Sequence, residues 1–199
     1  MSQILLLQSS LNGPVSRTNQ LMERFLQTRR EQGHQDQVVV RDLTALDLPV
    51  LDSPLFHALR GAEPANEAIR QAVALSDRLI AELKAADLLL IGAPMYNLNV
   101  PTPLKNWFDL VARAGVTFRY TDTYPMGLVE GVNALVFSSR GGVHQGQTTD
   151  VVTPYLKSVL DLMGITEVEF VYAEGMDLRP HGAEQGMREA HARIAGLGR

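Results

Sequence analysis

The 199-residue chain contains no cysteine and one tryptophan, and it shows no strong excess of one charge. Without cysteine it cannot form disulfides, thiolate nucleophiles, iron–sulfur clusters or thiolate zinc sites. No apolar run approaches the roughly 20 residues that span a bilayer, and Met1–Leu7 lacks the basic start of a secretory signal. Lys and Arg total 18 against 22 Asp and Glu, which argues against nucleic-acid binding. We therefore expect a soluble, cytoplasmic protein without nucleic-acid or membrane partners.

The commonest catalytic spacings are also missing. The five histidines are scattered and form no H-E-x-x-H motif, so we expect no metal site. No paired carboxylates and no Ser/His/Asp arrangement emerge from the remaining polar residues.

Short apolar runs alternate with longer amphipathic stretches along the chain. The runs that predict strands are 4–7, 38–40, 88–92, 132–137 and 168–172. The stretches that predict helices run from Ser16 or Thr18 to about Gly33, then over 68–83, 101–113, 151–163 and 183–195. This alternation predicts one α/β domain over 1–199, a doubly wound parallel sheet with helices on both faces. Residues 53–64 are expected to form a long loop or short helix, and 116–131 an aromatic insertion.

In such sheets ligands bind beyond the carboxyl ends of the strands. The loop after the first strand, residues 8–19, has neither a Walker A motif nor G-x-G-x-x-G. It offers four hydroxyls and one arginine at a helix start, which suits a monophosphate. An ordinary turn with a helix N-cap is the alternative.

Two further loops complete the candidate site. Residues 92–101 combine Met95, Tyr96 and Leu98 with Asn97, which suits a flat apolar ligand with polar edges, or else a loop folded onto the core. Residues 138–144 contain Gly141 and Gly142, where a backbone can approach a ligand closely, although an ordinary turn also uses such a pair. Because the three loops fall at corresponding strand ends, one shared site is the simplest interpretation.

Several long motifs carry a resemblance to a known family. They are Ser9–Ser10, Ala93–Asn99, Leu104–Asp109, Arg113–Tyr120, Ser139–Gly142, Thr153–Leu156 and Gly164–Thr166. Through these motifs the sequence resembles the FMN-dependent NADH:azoreductases of the flavodoxin-like quinone reductase superfamily, and the resemblance covers nearly the whole chain. The resemblance implies a flavodoxin-like five-stranded sheet. It also implies a homodimer with an FMN in each subunit, in which both subunits build each active site.

The resemblance assigns cofactor-binding roles by position. The residues that would hold the FMN phosphate are Ser10, Ser16, Arg17 and Thr18. Those that would line the isoalloxazine are Met95, Tyr96, Asn97 and Leu98, and those at its pyrimidine edge are Ser139, Arg140, Gly141 and Gly142. NADH or NADPH would donate electrons, and a quinone or azo compound would accept them in a two-electron ping-pong cycle. The flavin N5 would carry the hydride, so no protein residue is assigned as catalytic.

The sequence departs from the family at positions that concern the substrate. Arg17 replaces an amide common in relatives, Leu98 replaces a common Phe, and Leu162 lies where some relatives have an aromatic residue. Phe118 and Tyr120 are candidates for substrate-pocket walls across the dimer, with simple loop packing as the alternative.

Two polar residues are weaker candidates for the substrate pocket. His144 could reach or protonate the substrate, and Arg60 could meet a nicotinamide phosphate or a dye sulfonate. For both, a solvated side chain is the alternative. A non-enzymatic flavodoxin-type electron carrier also stays open, since its FMN site would look alike. The mild net charge of −4 and the aromatic insertion favour the enzyme.

Overall fold

The sheet is built from apolar strands that helices cover on both faces. The computed structural model describes residues 1–197, so the last two residues of the predicted domain lie outside the described residues. The sheet strands are β1 (Gln3–Gln8), β2 (Gln37–Asp42), β3 (Leu88–Gly92), β6 (Asn133–Ser139) and β7 (Val168–Ala173). Their order is β2-β1-β3-β6-β7, and all neighbours are parallel. The predicted five-stranded parallel sheet is therefore confirmed.

Successive side chains of a strand point to opposite faces of the sheet, and each face has its own hydrophobic core. The helices are α1 (Arg17–Glu31), α2 (Ser53–Ala58), α3 (Glu67–Ala85), α4 (Thr102–Val111), α5 (Val152–Met163) and α6 (Gly182–Leu197). In β1, Ile4 and Leu6 pack against α1 and α6, whereas Leu5 and Leu7 pack towards α3, α4 and α5. Each central strand is thus apolar on both sides, which explains its unbroken apolar run.

Local sequence signals set the ends of several helices. Ser16 caps α1, its hydroxyl accepting the Asn19 N–H at 3.2 Å. Asn66 caps α3 in the same way through the Ile69 N–H. The C-terminal end of α5 is capped by Gly164, which adopts a left-handed conformation with φ 100°. The segment predicted as a loop or short helix contains the short helix α2, which Asp52 caps.

The aromatic insertion forms a small hairpin, which the sequence pattern did not resolve into strands. β4 (Phe118–Arg119) pairs with β5 (Met126–Gly127) in an antiparallel arrangement. A Cβ atom on Gly127 would overlap the backbone of Gly164, and the Val129 N–H donates to the Met163 carbonyl at 2.9 Å. The hairpin is therefore fixed by direct backbone contact to the C-terminal end of α5.

Candidate functional site

The candidate site lies where the strand order reverses, between β1 and β3. Ligands in open α/β sheets bind at this point. A cavity of about 330 Å³ opens there, and loops after four strands line it. These loops contribute Asn12, Val15 and Arg17; Pro94, Met95 and Tyr96; Ser139, Arg140 and Gly141; and Met176 and Asp177. The structure thus brings the three predicted loops together around one space.

The first loop presents hydrogen-bond donors at the start of α1. Ser10, Ser16 and Thr18 are buried, and the Ser16 and Thr18 hydroxyls lie 3.1 Å apart. The N–H groups of Arg17 and Thr18 have no partner within residues 1–197. Unpaired N–H groups at a helix N-terminus, together with hydroxyls, suit a phosphate.

Arg17 adds an exposed positive charge to this end of the cavity. Its guanidinium donates to the Gln20 side-chain oxygen at 3.3 Å and forms no ion pair within residues 1–197. Arg17 can therefore turn towards a bound anion without breaking a contact to a carboxylate.

Tyr96 links the second loop to the first. Its hydroxyl lies 3.2 Å from the Ser10 hydroxyl and accepts the Leu11 N–H at 3.2 Å. The Met95 N–H donates to the Ser139 carbonyl at 2.9 Å, which joins the second loop to the third. The relative positions of the three loops are therefore set by direct hydrogen bonds.

The tip of the second loop is a strained turn. Tyr96 and Asn99 exchange backbone hydrogen bonds, and the two residues between them have positive φ: Asn97 at 50° and Leu98 at 62°. A leucine in this region is uncommon and costs of order 1 kcal/mol or more. The Leu98 side chain is nevertheless 44% exposed. The turn thus holds an apolar side chain away from the core.

The third loop presents neutral donors to a ligand. The carbonyl groups of Gly141 and Gly142 accept the N–H groups of Asp177 and Gly175 at 3.0 and 2.9 Å. The N–H groups of the two glycines have no partner within residues 1–197. They are available to the polar edge of a planar ligand.

Arg140 lies in the same loop, but its guanidinium is turned into the protein. The residue is 1% exposed and forms ion pairs with Asp150 at 3.0 Å and Glu174 at 3.3 Å. The positive charge of Arg140 is thus already neutralised within the protein, so this residue can offer a ligand its backbone but no free guanidinium.

Sequence reasoning missed the loop after β7. Met176 and Asp177 line the cavity, and the Met176 N–H donates to the Arg140 carbonyl at 3.0 Å. The available signal was positional, because β7 is parallel to β6 and its carboxyl end must reach the same edge of the sheet.

The predicted substrate residues divide between two places. Arg60, Phe118, Tyr120 and Leu162 line a second cavity of about 270 Å³. We call this second cavity the aromatic groove; it shares no lining residue with the first cavity, which we call the cofactor cleft. Phe118 packs edge-to-face on Tyr120 with ring centroids 5.5 Å apart, and the Arg60 guanidinium lies 3.5 Å from the centroid of the Phe56 ring.

His144 lies apart from the aromatic groove, in the third loop. Its Nδ1 is 2.8 Å from the Thr149 hydroxyl, and its backbone N–H donates to Glu174 at 2.8 Å. Its Nε2 lies beside Gly142, since a Cβ atom built on that glycine would be 2.9 Å from it. His144 is thus ordered at the edge of the third loop.

Burial shifts the pKa of three groups around these sites. Burial and then the Asp109 carboxylate raise the pKa of Tyr155, and burial raises the pKa of Tyr172 against its hydrogen bond with Thr153. For Asp150, burial favours a higher pKa, but hydrogen bonds from Arg140 and Thr153 outweigh it and leave the pKa below the usual value. Both tyrosines are therefore neutral and Asp150 is ionised at neutral pH.

Two features are absent from the described residues, 1–197. No helix there is long and apolar enough to cross a membrane. No group of three or more His, Cys, Asp or Glu side chains in this part of the chain is placed to hold a metal ion.

The four-loop cleft at the switch point of this sheet is typical of flavodoxin-like proteins. Residues 2–197 match the family described as Flavodoxin-like fold, and the chain belongs to that family.

Among individual relatives, the chain is 64% identical over 197 residues to FMN-dependent NADH:quinone oxidoreductase 4 of Burkholderia lata, covering 99% of each sequence. It is 51% identical over 197 residues to the FMN-dependent NADH:quinone oxidoreductase of Aeromonas salmonicida, again covering 99% of each. Among solved structures, azoreductase from Bacillus anthracis superposes with a TM-score of 0.87 at 28% identity, over 100% of this chain and 99% of that one.

Proposed function

We propose that the chain is an FMN-dependent oxidoreductase that uses NADH to reduce quinones and azo compounds. The observation that carries the proposal is the cofactor cleft, which Arg17, Met95, Tyr96 and Gly141 line, with unpaired N–H groups and buried hydroxyls on the loops that form it. That arrangement fits a phosphate joined to a flat ring with polar edges. Relatives of 64% and 51% identity named FMN-dependent NADH:quinone oxidoreductase support the quinone activity, and the likeness to the azoreductase structure supports the azo activity.

At the phosphate end, Ser10, Ser16 and Thr18 would donate through their hydroxyls, and the N–H groups of Arg17 and Thr18 would complete the contacts. The Arg17 guanidinium would balance part of the phosphate charge. Because this charge is exposed, its contribution should fall as salt is added.

At the ring end, Met95, Tyr96, Asn97 and Leu98 would lie along the isoalloxazine. The strained turn would hold Asn97 and Leu98 in their positions along the ring. Ser139 and the N–H groups of Gly141 and Gly142 would face the pyrimidine edge, with Arg140 contributing through its backbone. Bound FMN would supply two-electron chemistry, accepting a hydride from NADH and passing the electrons to the acceptor.

The substrate slot calls for a second copy of the chain. Phe118, Tyr120, Leu162 and Arg60 line the aromatic groove, which shares no lining residue with the cofactor cleft of the same chain. In a homodimer, the groove of one subunit would cover the cleft of the other and exclude water there. NADH and the acceptor would then use one slot in turn, giving ping-pong kinetics.

The surface beside the cleft is consistent with such a partner. Val15, which lines the cleft, is 69% exposed, and Leu11 and Leu98 are 67% and 44% exposed on the first and second loops. A cavity of about 550 Å³ between the second loop and α5 includes Tyr155, whose buried hydroxyl has no partner within residues 1–197. A second subunit would bury these apolar side chains.

His144 and Arg60 would act on the substrate rather than on the cofactor. The hydrogen bond between His144 Nδ1 and Thr149 leaves Nε2 free to meet the acceptor. Arg60, stacked on Phe56, would favour anionic acceptors such as sulfonated dyes. We further propose that the enzyme works in the cytoplasm, where NADH is available.

An anaerobic titration tests the proposal. The protein is reconstituted with FMN, and its visible flavin absorbance is followed as NADH and then a benzoquinone are added. We expect bleaching by NADH and full recovery with the quinone. A bound flavin that NADH does not bleach would instead indicate an electron carrier, and failure to retain FMN would refute the proposed cofactor.

A further inference from the structure

The Arg140 cluster, which consists of Arg140, Asp150 and Glu174, places three charges behind the third loop. The side chains are 0%, 7% and 13% exposed. The Arg140 guanidinium also donates to the Ser138 and Thr153 hydroxyls at 3.2 and 2.9 Å. A buried charge this fully paired is held in a single position.

The two carboxylates of the cluster connect it to the backbone of the loop. Oε1 of Glu174 accepts the N–H groups of His144 and Gln145, both at 2.8 Å. Asp150 accepts the N–H of Thr153 at 3.2 Å and the Thr153 hydroxyl at 2.9 Å, where the loop enters α5. One arginine thus joins the beginning, the middle and the end of the segment 140–150.

The position of Glu174 is itself fixed by close helix packing. A Cβ atom on Gly186 would overlap the Glu174 carbonyl, and one on Gly182 would overlap the Gly175 carbonyl. Helix α6 can therefore approach the segment after β7 only because it has glycine at both positions. That segment in turn donates to the carbonyls of Arg140, Gly141 and Gly142.

None of these contacts uses the N–H groups of the two glycines. The N–H groups of Gly141 and Gly142 stay without partners within residues 1–197. We infer that Arg140 and Glu174 are positioning residues, which hold these two N–H groups in place for the polar edge of the flavin before the cofactor arrives. The inference rests on the proposed FMN function. The side-chain charge of Arg140 serves the loop and not the ligand.

The experiment compares wild type with Glu174→Gln, which keeps the shape but removes the charge. Glu169→Gln is the matched control, because Glu169 lies on the same strand and forms an exposed ion pair with Arg193. Hydrogen exchange at the amides of His144 and Gln145 is measured in the FMN-free protein. FMN affinity is measured by fluorescence quenching. The visible circular dichroism of the bound flavin is recorded at saturating FMN.

In the wild type we expect both amides to be protected without FMN. In Glu174→Gln we expect their exchange to accelerate at least tenfold, the Kd for FMN to rise roughly tenfold, and the circular dichroism of the bound flavin to change. Glu169→Gln should match the wild type in all three measurements. A residue that only stabilises the fold would leave the circular dichroism of saturated protein unaltered.

Two results would overturn the inference. One is unprotected exchange at these amides in the FMN-free wild type; the other is a folded Glu174→Gln protein with wild-type affinity and circular dichroism. If Glu174→Gln does not fold, Arg140→Lys, which keeps the charge but loses the forked geometry, is measured against the same criteria. If the wild type binds no FMN, the proposed function fails. Hydrogen exchange at the amides of His144 and Gln145 still tests whether the Arg140 cluster orders the loop.

Discussion

The cofactor cleft and the aromatic groove are built in different ways. The cleft consists of loops that leave the carboxyl ends of four sheet strands and are joined by hydrogen bonds such as those of Tyr96. The groove consists of side chains from α2, α4, α5 and the β4–β5 hairpin, and it owes its shape to their packing. Under the proposed function, cofactor recognition would thus depend largely on backbone groups and sheet topology, whereas acceptor recognition would depend on side chains that can be replaced one at a time. A substitution in one region should therefore impair that region and leave the other unaffected.

The largest effect is expected from Arg140→Met, in the support of the cleft. The change leaves Asp150 and Glu174 buried without their counter-charge, which costs about 3–5 kcal/mol. Urea unfolding of the FMN-free protein measures the loss of stability. Arg193→Met, which breaks the exposed pair with Glu169, is the control and should cost less than about 1 kcal/mol. Equal losses of unfolding free energy in the two variants would show that Arg140 is not a buried counter-charge for Asp150 and Glu174.

Gly127→Ala should damage the groove and spare the cleft. The added methyl overlaps Gly164, so the hairpin carrying Phe118 and Tyr120 must move. We expect kcat/KM for a quinone to fall roughly ten- to a hundredfold with FMN affinity unchanged, as measured by steady-state kinetics and fluorescence quenching. Gly196→Ala, in α6 with open space around it, is the matched control. A loss of FMN affinity in Gly127→Ala would show that the two regions are not independent.

A smaller effect is expected at the phosphate end of the cleft. Arg17→Gln removes the exposed charge, and the Kd for FMN should rise roughly five- to tenfold in low salt and less at high ionic strength. Arg24→Gln, farther along the same helix, should leave the Kd unchanged. Titration with FMN at two salt concentrations decides the point, and a salt-independent difference would argue against a charge contribution from Arg17.

The smallest effect concerns acid stability. Because the folded-state pKa of Asp150 is lowered, its ionised form stabilises the fold above the ordinary carboxyl pKa of about 4. This contribution is lost as the pH falls below that value and through the folded-state pKa. Asp150→Asn should therefore be less stable than wild type at pH 6, with the difference shrinking towards pH 3. Thermal unfolding across this range would reveal a constant difference if the linkage were absent.

The sequence predicted the sheet well because each buried strand has a continuous apolar run, as in 88–92. It also located three of the four loops of the cleft, since strand ends alone determine where they meet. It could not give the direction of Arg140, because the partners Asp150 and Glu174 are 10 and 34 residues away along the chain. The two-residue strands β4 and β5 were equally unreadable, since so short a segment has no periodicity.

The backbone contact between Gly127 and Gly164 has a consequence for how this molecule can diversify. Leu162 lies two residues before Gly164, so the hairpin and this side chain are both held by the C-terminal end of α5. Replacing Leu162 or Tyr120 would alter the shape of the groove. The contact between Gly127 and Gly164, and with it the register of the hairpin, would stay unchanged. New acceptor preferences could therefore arise through single side-chain replacements, without insertions and without disturbing the flavin end of the fold.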